Sequence, residues 1–167
     1  IVISFQVIGE VPAGEALLRS GANAGDTIYV TGTPGDAAAG LDEYDADDRS
    51  DYLRERFLRP VARVDYGIRL RGVASAAIDL SDGLAADLGH ILTAGRVGAE
   101  IRLADLPLGP EVAEYVAGSA DWSVPVAAGD DYELCFTLSA DRAALIETLG
   151  REAQCAVRVI GEIARGE

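Results

Sequence analysis

The sequence predicts an α+β domain in which helices pack on a mixed, largely antiparallel sheet. Three observations lead there. The 167 residues are 49% hydrophobic and 25% charged, which is enough apolar material for one sizeable core and unlike a disordered chain. Segments rich in β-branched residues are interspersed with segments of helical periodicity. Their order follows no strict strand–helix–strand rhythm, so a doubly wound parallel sheet is disfavoured.

Taken in order, Ile1 to Ile8 alternates apolar and polar side chains and predicts a strand. Val11-Pro12-Ala13-Gly14 is a turn, and Glu15 to Arg19 a short helix. Thr27 to Thr31 predicts a strand that ends at Gly32-Thr33-Pro34-Gly35-Asp36, with a helix from Ala37 to Leu41. The acids Asp42, Glu43, Asp45, Asp47, Asp48 and Asp51 then read as a solvated surface loop. Helices over Asp51 to Phe57 and Val61 to Arg71 are separated by Pro60. Ala74 to Ile78 is a strand, after which Leu84, Leu88, Ile91 and Leu92 share one helical face. Gly98 to Leu103 predicts another strand and Pro110 to Val116 a helix. Tyr132 to Leu138 is a strand, Ser139 caps a helix over Asp141 to Leu149, and Val157 to Ile160 is the last strand.

The charge balance narrows the function. Twenty-eight acidic against 14 basic residues give a formal charge of −14. That argues against non-specific nucleic-acid binding, which needs a basic footprint. An anionic substrate would need metal ions or local positive groups. Cys135 and Cys155 form no CxxC pair and His90 is the sole imidazole, so buried reduced thiols are expected rather than a zinc site. No apolar run approaches the ~18 residues of a spanning helix and no leader pattern opens the chain, so a soluble, cytoplasmic protein without a membrane partner is expected. The sequence has no Met, which suggests a start inside a longer protein. Residues 1–10 then read as the end of a linker or strand, and 11–167 as the domain itself.

Three short stretches carry chemistry. In Ala77-Ile78-Asp79-Leu80-Ser81-Asp82-Gly83, two carboxylates stand on one turn ahead of a helix, an arrangement suited to a hard cation such as Mg²⁺. Capping by Ser81 or Asp82 explains one polar residue but not Asp79 as well. Gly32 to Asp36 reads either as a plain turn or as a loop whose amides approach phosphate; with no Lys in the chain it is not a Walker A loop. In Gly129-Asp130-Asp131-Tyr132-Glu133-Leu134, adjacent acids follow a glycine and open a strand, as a local side-chain turn also would. Arg19 is either a phosphate contact or a surface residue.

Together, IDLSDGLAADLGHIL, IYVTGTPGDAAAGL and GDDYELCFT resemble the thiamine-monophosphate kinase family of the aminoimidazole-ribonucleotide synthetase-like superfamily, from about Val7 to Ile163. The resemblance is to the C-terminal domain of that family; its N-terminal domain and closing tail have no counterpart in these residues. It implies an AIR synthetase C-terminal-domain-like fold and ATP-dependent phosphorylation of thiamine monophosphate. It further implies Mg²⁺ at Asp79 and Asp82, ATP contacts from Arg19 and Ser81, and a substrate contact from Asp130, where the family often has Glu. A homodimer whose site lies between domains and subunits is also implied. His90 and Trp122 are read as structural, and no side-chain nucleophile is expected. A haloacid-dehalogenase-type phosphatase is disfavoured because Asp79-Leu80-Ser81 lacks its Asp-x-Asp pair. The alternatives left open are a non-catalytic dimerising or regulatory module of this fold and another ATP-dependent member of the superfamily.

Overall fold

Five strands build one sheet in the computed structural model, which describes residues 2–46 and 50–166. They are β1 (Asp26–Thr31), β2 (Ala76–Asp79), β3 (Val97–Ile101), β4 (Leu134–Ser139) and β5 (Val157–Arg165). Their order is β2-β4-β1-β5-β3, and every neighbouring pair is antiparallel. The largely antiparallel character expected of the sheet is borne out, and it extends to every neighbouring pair. The helix α7 (Ala143–Glu152) does cross from β4 to a parallel β5. However, β1 inserts between those two strands, and each of them pairs with it antiparallel.

Successive side chains on a strand point to opposite faces, so the apolar strands feed two cores. On one face, Ile28, Val30, Ile78, Cys135, Ile160 and Ile163 meet α4 (Leu84–Gly95) through Leu84, Leu88 and Ile91. Those three positions form the stripe predicted from their helical spacing. On the other face, Tyr29, Phe136 and Leu138 meet Tyr66 and Leu70 of α3 (Val64–Leu70) and Ile146 of α7. The Tyr29 and Phe136 rings stack at 5.2 Å, and Tyr66 tilts against Phe136 at 5.8 Å. The two thiols are buried and unpaired, one in each core. Helices α1 (Asp36–Asp42), α2 (Asp51–Leu58) and α5 (Pro110–Ser119) pack together, with Leu53 fully buried among them.

Several expectations shift. Residues 2–10 form no strand: Val2, Phe5, Val7 and Ile8 are exposed and no neighbouring strand supplies ladder bonds. Glu15 to Arg19 is not a helix; a single 3₁₀ turn follows at Arg19–Gly21. The helix after Ser139 starts at Ala143 behind a 3₁₀ turn, and the Ser139 side chain makes no cap. Strand β5 runs five residues past Ile160, because the Ile28/Tyr29 register skips that residue as a β-bulge and pairing then resumes. A short helix, α6 (Ser123–Ala127), holds Pro125 and is too brief for any periodicity to announce. Asp42, Asp45 and Asp51 are exposed as expected, although Asp42 ends α1 and Asp51 opens α2, while Asp47 and Asp48 lie outside the described residues. Among the described residues no helix is long and apolar enough to cross a membrane.

Candidate active site

Two loops leave the same end of the sheet and stay joined. Asp79 closes β2 opposite Leu134, which opens β4. Beyond that pair the backbone keeps bonding: Leu80 N–H donates to the Glu133 carbonyl at 2.8 Å, Tyr132 N–H to Leu80 at 2.9 Å, and Asp130 N–H to Ser81 at 3.0 Å. Gly129 lies so close that a Cβ there would collide with the Ser81 carbonyl. Residues 79–82 and 129–133, separate in sequence, thus form one ridge.

Along that ridge the side chains of 130–133 alternate. Asp130 and Tyr132 are exposed, whereas Asp131 and Glu133 are 2% and 0% exposed. The exposed two have φ of 68° and 51°, the left-handed region that non-glycine residues rarely enter. Such strain persists only where the surroundings enforce it.

The inward carboxylates do the enforcing. Glu133 receives Arg63 Nε at 2.7 Å, Arg63 Nη2 at 2.6 Å, Arg56 Nη2 at 2.9 Å and the Thr31 hydroxyl at 2.6 Å. Burial alone would raise its pKa, but the Arg63 and Thr31 bonds with the two guanidinium charges outweigh it and hold the group below its ordinary value. Gly32, at φ 60°, is required beside it, since any Cβ would strike the Glu133 carboxylate. Asp131 accepts Gly35 N–H at 2.7 Å and Ala37 N–H at 3.1 Å. It therefore sits where an anion would bind at the start of α1. The Gly32 to Asp36 loop is consequently a turn whose amides serve an internal carboxylate, not a phosphate cradle. Asp36, fully buried beside it, takes hydrogen bonds from Thr33 and Tyr52, and its pKa is raised chiefly by burial.

The outward groups stand apart from this network. Asp79 and Asp82 are exposed, and neither accepts a hydrogen bond or ion pair among the described residues. Neither caps α4 either: its N-cap is Gly83, with no side-chain cap. The buried Asp87 instead accepts Ser81 N–H at 2.9 Å and Asp82 N–H at 3.0 Å and pins the turn from below. Asp79, Asp82 and Asp130 all act on the Tyr132 phenol, whose pKa is raised by the Asp130 charge first. Its hydroxyl donates to Asp130 Oδ1 at 3.3 Å.

The backbone segments that carry Asp79, Ser81, Asp82 and Asp130 are therefore brought together. Arg19 is not shown among them. It is exposed on the 3₁₀ turn that runs along β2, where Leu18 O accepts from Ala77 N–H, and it pairs with no carboxylate among the described residues. His90 is exposed, with a ring nitrogen within 4.8 Å of Asp82 and Asp87 oxygens. Trp122 packs on the α4 core as expected. Sequence reasoning missed Asp87, Asp131, Glu133, Arg56 and Arg63 as the supports. The in–out alternation of Asp130 to Glu133 was the available signal.

The fold built on this five-stranded sheet is shared with known proteins. The chain belongs to the family described as AIR synthase related protein, C-terminal domain, which its residues 23–167 match. It is 50% identical over 156 residues to the thiamine-monophosphate kinase of Escherichia coli K12, covering 89% of this chain and 48% of that protein. The thiamine-monophosphate kinase of Stenotrophomonas maltophilia K279a superposes with a TM-score of 0.86 at 41% identity, over 94% of this chain and 53% of that one. A further structure, AaThiL complexed with AMPPCP and TMP, gives a TM-score of 0.76 at 32% identity, over 90% of this chain and 48% of that one. The chain spans about half the length of the curated relatives it matches.

Burial is the main cause that lifts Asp131 from 3.8 to about 6, against the lowering pull of the Gly35 and Ala37 amides. The folded pKa lies above the unfolded one, so the stability linked to this group is full below about 3.8 and is lost as pH rises through about 6. Urea denaturation of wild type and Asp131→Asn across pH 4 to 7 should show the wild type losing ground to the variant as pH rises. A difference that stays constant with pH contradicts that assignment.

Proposed function

We propose that residues 11–167 are the C-terminal domain of a thiamine-monophosphate kinase, an ATP-dependent phosphotransferase whose acceptor is a phosphate group. In this reading an oxygen of the thiamine monophosphate phosphate attacks the γ-phosphorus of ATP in line. The new P–O bond forms as the bond to the β-phosphate oxygen breaks, giving thiamine diphosphate and ADP. The observation that carries the reading is the ridge: three backbone hydrogen bonds hold residues 80–81 against 130–133, with Asp79, Asp82 and Asp130 exposed along it. The half-length similarity to kinases of this name supports the substrates.

The residues fit Mg²⁺. Asp79 and Asp82 offer exposed oxygens with no arginine on them among the described residues, the donor set a hard ion prefers. When bound there, Mg²⁺ supplies charge neutralisation for the phosphates of two anionic substrates. The chain's own part is positioning. Asp87 fixes the 81–82 backbone, and pairing with Leu134 fixes Asp79, so that both carboxylates and the half-buried Ser81 keep one orientation toward ATP. Asp130 faces the thiamine substrate with a side chain shorter than the Glu often found there. Arg19 reaches the nucleotide phosphates from the β2 side. No side-chain nucleophile is required, since phosphoryl transfer rests on positioning and electrostatics.

The remaining parts of the reading are a homodimer in the full-length protein, with the site completed by a second domain, and a cytoplasmic location. The acidic balance of the chain supports the absence of a nucleic-acid partner.

Two measurements test this. The 167-residue chain alone should transfer little phosphate to thiamine monophosphate; turnover equal to the full-length enzyme contradicts the two-domain site. In the full-length enzyme, Asp79→Asn should lower kcat about a hundredfold at saturating Mg²⁺, typical for losing one electrostatic partner of the transition state. Its melting temperature should stay near wild type, and unchanged kinetics would remove Asp79 from the site.

A further inference from the structure

Tyr132 is the one large exposed side chain of the ridge to which the reading above gives no ligand. It is 41% exposed, while its neighbours Asp131 and Glu133 are sealed inside. Its backbone sits at φ 51°, a conformation a bulky aromatic residue adopts only under compulsion. Compulsion is present on both sides of it, through Asp131 on the α1 amides and Glu133 between Arg56 and Arg63. The outcome is an aromatic ring held away from any core, next to the carboxylates of Asp79, Asp82 and Asp130. No arginine pairs with those three acids among the described residues.

We propose that Tyr132 is a specificity-determining residue, the platform on which a delocalised cationic ring of the phosphate-accepting substrate rests, with Asp130 as its counter-charge. The proposal rests on the kinase reading and names the part of the substrate that this ring selects. An aromatic face attracts a cation through its quadrupole, and adjacent carboxylates add to the same field. The two kinds of cation divide by chemistry. A compact divalent ion takes oxygen donors alone, which Asp79 and Asp82 supply. A planar organic cation such as a thiazolium gains from a flat apolar face as well as charge, and the ridge offers that face only at Tyr132. Asp130 then serves twice, accepting from the phenol at 3.3 Å and facing the positive ring.

The test uses the full-length enzyme with Tyr132→Leu and Tyr132→Phe. Steady-state kinetics should show KM for thiamine monophosphate raised about tenfold in Tyr132→Leu, the size of a partly desolvated cation–aromatic contact, with KM for ATP unchanged. Tyr132→Phe should keep both values near wild type, since the ring and not the hydroxyl is the contact. Calorimetry should show wild type and Tyr132→Phe preferring thiamine monophosphate over the neutral thiochrome monophosphate, and Tyr132→Leu losing that preference. An unchanged KM in Tyr132→Leu, or a Tyr132→Phe as impaired as Tyr132→Leu, overturns the platform while the kinase reading stands. A wild-type enzyme that phosphorylates no thiamine monophosphate overturns the kinase reading. The cation-over-neutral preference still decides the platform in that case, and an equal preference in wild type and Tyr132→Leu refutes it.

Discussion

A carboxylate with no exposed surface, Glu133, governs the outer face of this domain. Left alone, such a charge would cost several kcal/mol to bury. Here Thr31 from β1, Arg56 from α2 and Arg63 from the segment before α3 converge on its two oxygens. Three elements are thereby tied to the start of β4, and the register of that strand entry is set. With Glu133 and Asp131 both held inward, Tyr132 and Asp130 are left exposed between and beside them. The strained backbone at the two outward residues follows from that clamp together with Asp131 on α1.

The buried acids of the ridge respond to protons in opposite directions. Glu133 is held below its ordinary range by its arginines and threonine, so its contribution is lost on acidification. Asp131 is raised by burial, so its contribution is lost as the pH rises. The support beneath the ridge is a balance between a charge that is paired and one that is met mainly by two amide dipoles. Among the described residues the exposed acids Asp79, Asp82 and Asp130 pair with no arginine and take no part in this balance.

Much of this was readable from residue types. The β-branched run at Thr27 to Thr31 became β1, and the spacing of Leu84, Leu88 and Ile91 became the buried stripe of α4. The Asp79-Ser81-Asp82 turn and the Asp130 loop stood out because local fold construction does not demand their acids. What stayed hidden depends on distant partners. Arg56 and Arg63 reach Glu133 across 77 and 70 positions, and Asp131 reaches Gly35 across 96. No local pattern encodes those pairings. The strand expected at Ile1 to Ile8 failed for a related reason, since alternation specifies a face but not a neighbour to bond with.

The most direct test of this dependence is amide hydrogen exchange in Glu133→Gln, which keeps the side-chain shape and removes the charge. Exchange at the Tyr132 and Asp130 amides, bonded to Leu80 and Ser81, should accelerate strongly. Amides in the centre of β1 should stay protected, showing that the sheet is intact. Unchanged protection at both ridge amides would contradict the claim that the buried ion cluster holds the ridge in place.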